Sequence, residues 1–358
     1  MRKSVNCGDI KIGGNAPISI QSMTNVPTAD IKNVIGQINE LQNAGCQIVR
    51  LAIPDMESAQ ALKVIKKSVS VPLVADIHFD YRLAITAIEN GADKVRINPG
   101  NIGSIERIQA VVKSAKERNI PIRVGVNSGS LEKDIVHKYG GVTAQGLAES
   151  AIQNVQILQD MDFDDIVISL KSSDVMLNYQ AHKLIFQKTN HPIHIGITES
   201  GTVNSGKLKS AIGIGALLLE GIGDTLRVSL TGNPVNEVYF ANDILKTVGI
   251  RKTGVNLVSC PTCGRTKVDL EKIALSIEEA LEGLEAQIEA ANLSTITVAV
   301  MGCAVNGPGE AKEADFGVAC GQGKGVLFAK GEIVKTVDEE NIVDELISLI
   351  NETFFHKR

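Results

Sequence analysis

CQIVRLAI at residues 46–53, VPLVADIH at 71–78, DKVRINP at 93–99 and PIRVGVN at 121–127 decide how this chain folds. Each is a short, nearly uninterrupted apolar run rich in β-branched residues, as expected of a strand covered on both faces of a parallel sheet. Working outward, the same unit recurs in SIQSMT (19–24), DIVISLK (165–171), PIHIGITE (192–199) and DTLRVSL (224–230). The intervening stretches have helical spacing. Ile31, Val34, Ile35, Ile38 and Leu41 recur at steps of three and four after Thr28, read as an N-cap, and Gly45 and Gly91 fall where helices should stop. Eight βα units over about 250 residues fit a TIM-type (β/α)8 barrel. An open doubly wound sheet is the alternative, but the chain has no G-x-G-x-x-G turn and no P-loop.

Beyond Ile250 the run RKTGVNLVSCPTCGRT interrupts the alternation and opens a segment with four of the six cysteines: Cys260, Cys263, Cys303 and Cys320. There Ile273, Ile277, Leu281, Leu284 and Ile288 mark an amphipathic helix, TITVAVM (295–301) a strand, and GVLFAKGEIVKTV a hairpin before a last helix. The expected architecture is therefore a barrel over residues 1–250 and a small α+β domain over 251–358. A length of 358 residues accommodates both.

Composition narrows the function. Lys plus Arg number 36 and Asp plus Glu 41, a net charge of −5, and aromatic residues are 3% with no Trp. Neither a general attraction to nucleic acid nor a membrane-interface belt is expected. The opening MRKSVNCGD has no apolar signal core, and the longest apolar stretch, Ala211 to Leu219, is too short to span a bilayer. A cytoplasmic location follows as an expectation, in which six cysteines serve as thiols or metal ligands.

Arg50, Arg96, Arg123, Lys171 and Arg227 lie inside the expected strands, joined near strand C-termini by Asp76, His78, Asn98, Asn127, Thr198, Glu199 and Ser229. Charged groups among apolar strands are costly unless paired or turned toward a ligand, and barrel active sites occupy that end. Interior salt bridges account for any single one of these cations but poorly for all five. Together they suit bidentate binding of an anion of diphosphate size. The loops ESGTVNSG and TGNP, with a helix start at Pro234, add backbone donors where barrels often bind phosphate. His78 carries at most a minor site role, and His182, His191 and His194 lack ligand-like spacing.

The motif SCPTCGR (259–265) with MGCAVNGPGE (301–310) places a C-x2-C pair and a third cysteine after a strand. Taken alone it fits an iron–sulfur centre, a structural zinc site that uses Cys320, or a redox pair. Three thiolates on a cluster leave one iron for a weaker ligand, and Glu310 stands seven residues beyond Cys303 across the turn 306–309.

The succession QSMTN, VRLAIPD, ADIHFD, VRINPGN, RVGVNSGSL, GITESG, RVSLTG, SCPTCGRT and MGCAVNGPGEA resembles the bacterial 4-hydroxy-3-methylbut-2-enyl diphosphate synthase family in its two-domain form, over essentially the whole chain. The resemblance implies a 4Fe-4S cluster on Cys260, Cys263, Cys303 and Glu310, which leaves Cys7, Cys46 and Cys320 as non-ligands. It implies that Arg50, Arg96, Arg123, Asn127, Lys171, Thr198, Arg227 and Ser229 contact a cyclic diphosphate, with Asp76 and Asn98 among the same strand-end residues and Glu199 near the reacting carbons. The implied reaction reduces 2-C-methyl-D-erythritol 2,4-cyclodiphosphate by two electrons; the mechanistic expectation added to it is that Glu310 gives way to substrate while Glu199 places or donates a proton. A flavodoxin or ferredoxin donor and a head-to-tail homodimer are also implied. A barrel transferase or lyase with structural zinc, and a non-catalytic cluster carrier, stand as the alternatives.

Overall fold

The computed structural model describes residues 2–290, 293–303 and 313–355. The chain divides into two compact units, Met1–Val248 and Gly249–Arg358. No helix among the described residues is long and apolar enough to cross a membrane.

The first unit opens with a hairpin, β1 (Ser4–Cys7) and β2 (Ile10–Gly13). Eight parallel strands follow: β3 (Ser19–Met23), β4 (Ile48–Ala52), β5 (Leu73–Asp76), β6 (Lys94–Ile97), β7 (Ile122–Asn127), β8 (Ile166–Lys171), β9 (His194–Ile195) and β10 (Thr225–Leu226). Their spatial order is β8-β7-β6-β5-β4-β3-β10-β9. The ring closes at the Ile168–Ile193 bridge, where the Ile168 N–H donates to the Pro192 carbonyl at 2.9 Å. Sequential neighbours and closure exclude the doubly wound sheet. Ladder pairing in β9 and β10 covers only two residues each, so Gly196–Glu199 and Arg227–Leu230 leave the ladder early and run along the mouth.

Helices between the strands supply the outer layer, and Val34, Ile38 and Leu41 of helix Ile31–Asn43 are buried. Asp30, two residues beyond the expected Thr28, caps that helix by accepting from the Asn33 N–H. The Thr28 hydroxyl is spent on the Ala52 carbonyl at 2.6 Å. Gly45 and Gly91 adopt φ of +95° and +99° just past their helices, the left-handed stop that glycine accepts most easily. The hairpin, not anticipated from sequence, seals the strand N-terminal end: Val5, Cys7 and Ile12 pack on the inward Ile48, Val74 and Val167.

The second unit is a five-stranded sheet, β11 (Val255–Ser259), β12 (Ile296–Met301), β13 (Phe316–Gly321), β14 (Lys324–Ala329) and β15 (Glu332–Asp338), in that order. The first three run parallel and the last two are antiparallel to their neighbours. Ile273, Ile277, Leu281, Leu284 and Ile288 of helix Leu270–Ala290 are all buried on this sheet, with helix Ile342–Ile350 beside them. Strands β11 and β13 escaped the sequence pattern. The former is a half-exposed edge without a continuous apolar run, and the latter is a short FGVACG segment with a glycine at each turn of the pattern.

Candidate active site

Within the barrel, the expected cations divide into two kinds. Arg96 Nη1 lies 3.2 Å from Asp76 Oδ1, and Arg50 Nε lies 3.7 Å from Asp76 Oδ2. Burial alone would push the Asp76 carboxyl up, but Arg50, the His78 contact and Arg96 outweigh it and hold it well below the usual carboxylate range. Arg227 donates to both oxygens of Glu237, at 3.2 and 3.3 Å. These three guanidinium groups do form interior salt bridges.

Arg123 and Lys171 do not: among the described residues neither has a carboxylate within 4 Å, and Arg123 Nε and Nη1 are buried with no hydrogen-bond partner. Burial, then Arg123, Arg50, Arg227 and Arg96, hold the Lys171 ammonium well below its ordinary value. Two glycines make room for this crowding. A Cβ at Gly125 would stand 2.4 Å from Arg96 Nε, and one at Gly196 would stand 2.4 Å from both Lys171 Nζ and the Arg227 carbonyl. The small residues on β7 and after β9 thus let the cations fold inward across the barrel. The four arginines alone outnumber the two buried carboxylates, Asp76 and Glu237, by 4 − 2 = 2, before Lys171 is counted.

A cavity at this end is lined by His78, Arg96, Asn98, Asn127, Thr198 and Glu199 among others. Glu199 is exposed at its rim in the left-handed region, φ +49°, a costly conformation for a residue with a side chain. Asn98 is buried and its side chain accepts from the Gly100 N–H at 3.1 Å as the cap of helix Pro99–Ile102, which uses one of its acceptor positions and fixes its orientation. Ser229 sits beside Arg227, and its carbonyl accepts from the Ser200 hydroxyl. His182 and His194 are buried in the barrel.

Sequence reasoning missed three contributors. Glu237, on the helix that follows TGNP, also accepts from the Ser22 hydroxyl at 3.0 Å and the Leu230 N–H at 3.0 Å, tying Arg227 to two strands. The Met23 sulfur receives Arg50 Nε at 3.1 Å and Arg227 Nη1 at 3.7 Å. Only the position of Glu237 in the first turn after a mouth loop could have flagged it. Lys94 is fully buried and its Nζ has no partner. Cys7 of the sealing hairpin and Arg123 are among the charged or polar groups acting on it.

Burial pulls the Lys94 ammonium down to about 8. Keeping it charged at neutral pH costs on the order of 3 kcal/mol, a penalty fully present below pH 8 and relieved as pH rises toward the unfolded-chain value. Lys94→Met is therefore expected to raise stability at pH 7 by about 1–3 kcal/mol, or roughly 2–4 °C per kcal/mol in barrel melting. The advantage should shrink as pH rises above 8. Thermal melts at pH 7 and pH 10 check this; a variant less stable than wild type at pH 7 would overturn the burial penalty assigned to Lys94.

In the second unit, β11 runs into Cys260, whose N–H donates to the Val300 carbonyl at 3.3 Å. The Gly302 N–H in turn donates to Cys260 Sγ at 3.2 Å, so the first cysteine of the C-x2-C pair lies against the residue preceding Cys303. Cys263 is exposed, and its thiol is drawn below its ordinary value by the Arg265 backbone N–H, then the Arg265 side chain, with Thr266 adding to it. A Cβ at Gly302 would stand 2.9 Å from both Thr266 Oγ1 and Leu270 Cδ2, so the 260–266 turn closes over glycine there. Backbone N–H donation to a thiol sulfur and a lowered thiol value are the donor chemistry of a thiolate metal centre. Among the described residues, however, no three His, Cys, Asp or Glu side chains converge as a metal site. Glu310 lies outside the described residues. Cys320 is buried in the apolar core with its thiol pushed up by burial to about 12, and Cys46 likewise. Neither Cys46 nor Cys320 is presented as a ligand.

The comparisons agree with this division. The GcpE TIM-barrel domain matches residues 2–242 and the GcpE protein C-terminal domain matches residues 256–352. A Clostridium acetobutylicum protein named 4-hydroxy-3-methylbut-2-en-1-yl diphosphate synthase (flavodoxin) is 56% identical over 98% of this chain and 98% of its own. Proteins of the same name from Clostridium perfringens and Fusobacterium nucleatum are 56% and 53% identical, over 97% and 99% of this chain and 97% and 98% of their own. Dihydropteroate synthases from Stenotrophomonas maltophilia and Yersinia pestis share the barrel alone. Each has a TM-score of 0.51, at 12% and 11% identity, covering 68% and 69% of this chain and 96% and 98% of theirs. On near-complete coverage by both domains, the chain is an enzyme that belongs to the GcpE family of 4-hydroxy-3-methylbut-2-en-1-yl diphosphate synthases.

Proposed function

We propose that the enzyme takes 2-C-methyl-D-erythritol 2,4-cyclodiphosphate and two electrons with accompanying protons, opens the ring, and releases 4-hydroxy-3-methylbut-2-enyl diphosphate and water. The observation that carries this reading is the pair of buried cations, Arg123 and Lys171, with no carboxylate of their own beside Arg50, Arg96 and Arg227. A bound anion relieves the repulsion and desolvation of an interior of that charge. Arginine forks and a lysine point charge suit the two phosphoryl groups. As the ring opens, negative charge grows on the diphosphate end, and preorganised cations stabilise that end more than they stabilise the starting ring. Asn127 and Thr198 line the cavity beside Arg96, the one of the five cations on its wall, and supply neutral donors around the sugar carbons.

Side chains cannot supply two electrons. Cys260, Cys263 and Cys303, with Glu310, would hold a 4Fe-4S cluster, which when bound supplies electrons one at a time. The Gly302 N–H on Cys260 Sγ and the tight turn over Gly302 support that assignment. Flavodoxin, named for the relatives, or a ferredoxin is the donor. Since the cations and the cysteines belong to different units, they must meet within one chain or across a head-to-tail homodimer, which is part of this reading.

Glu199 is the proton-handling group of the barrel. Its carboxyl stands exposed at the cavity rim on a strained backbone, the kind of conformation proteins retain at reacting centres. Glu199→Gln is expected to lower kcat at least about 100-fold with KM within about threefold of wild type. Unchanged kcat would remove Glu199 from the reaction. The reading as a whole is tested by anaerobic turnover of the cyclic diphosphate with reduced flavodoxin, alongside iron, acid-labile sulfide and zinc analysis. Zinc in place of iron, with no turnover, would overturn it.

A further inference from the structure

Helix Ala144–Gln159 buries two polar residues one turn apart, Ser150 and Asn154, among Leu147, Ala151, Val155 and Leu158. Polar groups on a helix face turned to a core are destabilising unless their bonds are met. These are met by the loops at the barrel mouth. Asn154 Oδ1 accepts from the Gly100 N–H at 3.0 Å, the same N–H that the Asn98 side chain receives at 3.1 Å. Asn154 Nδ2 donates to Glu132 Oε1 at 3.2 Å and to the Ser150 carbonyl at 2.9 Å. The Ser150 hydroxyl donates to Glu132 Oε2 at 2.7 Å. A Cβ at Gly100 would stand 3.1 Å from Glu132 Oε1, so the two loops touch there directly.

Glu132 follows the 127–131 segment after β7, and Gly100 belongs to the 98–102 turn after β6. Asn98 and Asn101 from one loop and Asn127 to Ser130 from the other line the cavity. We propose that Asn154 and Glu132 are positioning residues that clamp these two loops together and set the width of the cavity for the cyclic diphosphate. This rests on the proposed reaction. Neither residue touches the cavity. A clamp of this kind acts on ground-state and transition-state binding alike, so its loss raises KM with kcat nearly unchanged.

The polarity of the pair gives a test that packing alone does not. In Asn154→Asp a second carboxylate faces Glu132, and KM for the cyclic diphosphate is expected to rise about 10-fold or more; in Glu132→Gln it is expected to rise a few-fold. The double variant Asn154→Asp/Glu132→Gln exchanges donor and acceptor along the contact between the two loops and keeps the net charge, while the donation to the Ser150 carbonyl is lost as in the single. Its KM is expected at least about threefold below that of Asn154→Asp alone. Singles that lose stability with KM unchanged, or a double variant at least as impaired as the worse single, would overturn the clamp. A measurement needing no substrate separates this from the reaction itself. Hydrogen exchange should find the wild-type Gly100 amide protected and Ser150→Ala should accelerate it; a Gly100 amide as fast as that of Gly103 would overturn the clamp whether or not the cyclic diphosphate is turned over.

Discussion

Lys171→Met is expected to lower kcat/KM for the cyclic diphosphate by about 10² to 10³-fold while leaving iron content unchanged. Lys171 is buried at the end of β8, and a Cβ at Gly196 would stand 2.4 Å from its Nζ. Burial, with four arginines acting in the same direction, holds its ammonium below the ordinary lysine value. A bound dianion favours the charged form and raises that value. Between the free-enzyme and ligand-bound values, binding must therefore take up a proton, and affinity must fall as pH rises across that interval. The two phosphoryl groups of the cyclic diphosphate are strong acids, so the ligand contributes no titration of its own. Calorimetry on the oxidised enzyme at a series of pH values, each in two buffers of different ionisation enthalpy, measures the uptake. Equal heats in both buffers, or an unchanged difference in Lys171→Met, would dismiss Lys171 as the ligand's counter-charge.

The barrel was legible because its strands are covered on both faces: CQIVRLAI and VPLVADIH carry continuous apolar runs that few other contexts demand. For the same reason their charged members stood out, and Arg50, Arg96, Arg123, Lys171 and Arg227 fall on strands or just past them, as the pattern required. What the pattern could not resolve was pairing. Interior salt bridges account for the arginines at Asp76 and Glu237 and not for Arg123 and Lys171; the partner of Arg227 escaped the strand pattern because Glu237, ten residues on, sits on a helix. Lys94 was hidden by its neighbour Asp93, and the Ser150–Asn154–Glu132 set by the ordinary look of a polar residue every fourth position. The hairpin Ser4–Gly13 carries too few residues for a period to emerge, yet its Val5, Cys7 and Ile12 complete the barrel floor. In the second unit the buried face of Leu270–Ala290 was readable from spacing, whereas β11 is an edge whose side chains are half exposed.

The largest expected loss is from Cys260→Ala, which should abolish anaerobic turnover together with the bound iron, acid-labile sulfide and visible absorbance of the purified protein. Its sulfur is the one that the Gly302 N–H reaches, at 3.2 Å, and its backbone continues β11 onto β12 through the Val300 carbonyl. The thiol is partly buried against the sheet but does not belong to its sealed interior. Removing it therefore takes away a ligand while the apolar core on Ile277, Leu281 and Val298 stays intact. Cys320→Ala provides the contrast. Cys320 is fully buried in that core, with its thiol pushed up to about 12, so its loss should cost about 1 kcal/mol of stability and leave iron and turnover in place. Binding of the cyclic diphosphate to the oxidised protein should survive in both variants, because every barrel cation is untouched. Iron retained in Cys260→Ala, or lost equally in Cys320→Ala, would move the metal centre away from the 260–266 turn. Stoichiometric zinc in the wild type would replace electron delivery with a structural role, and the buried cations of the barrel would then serve a transferase or lyase.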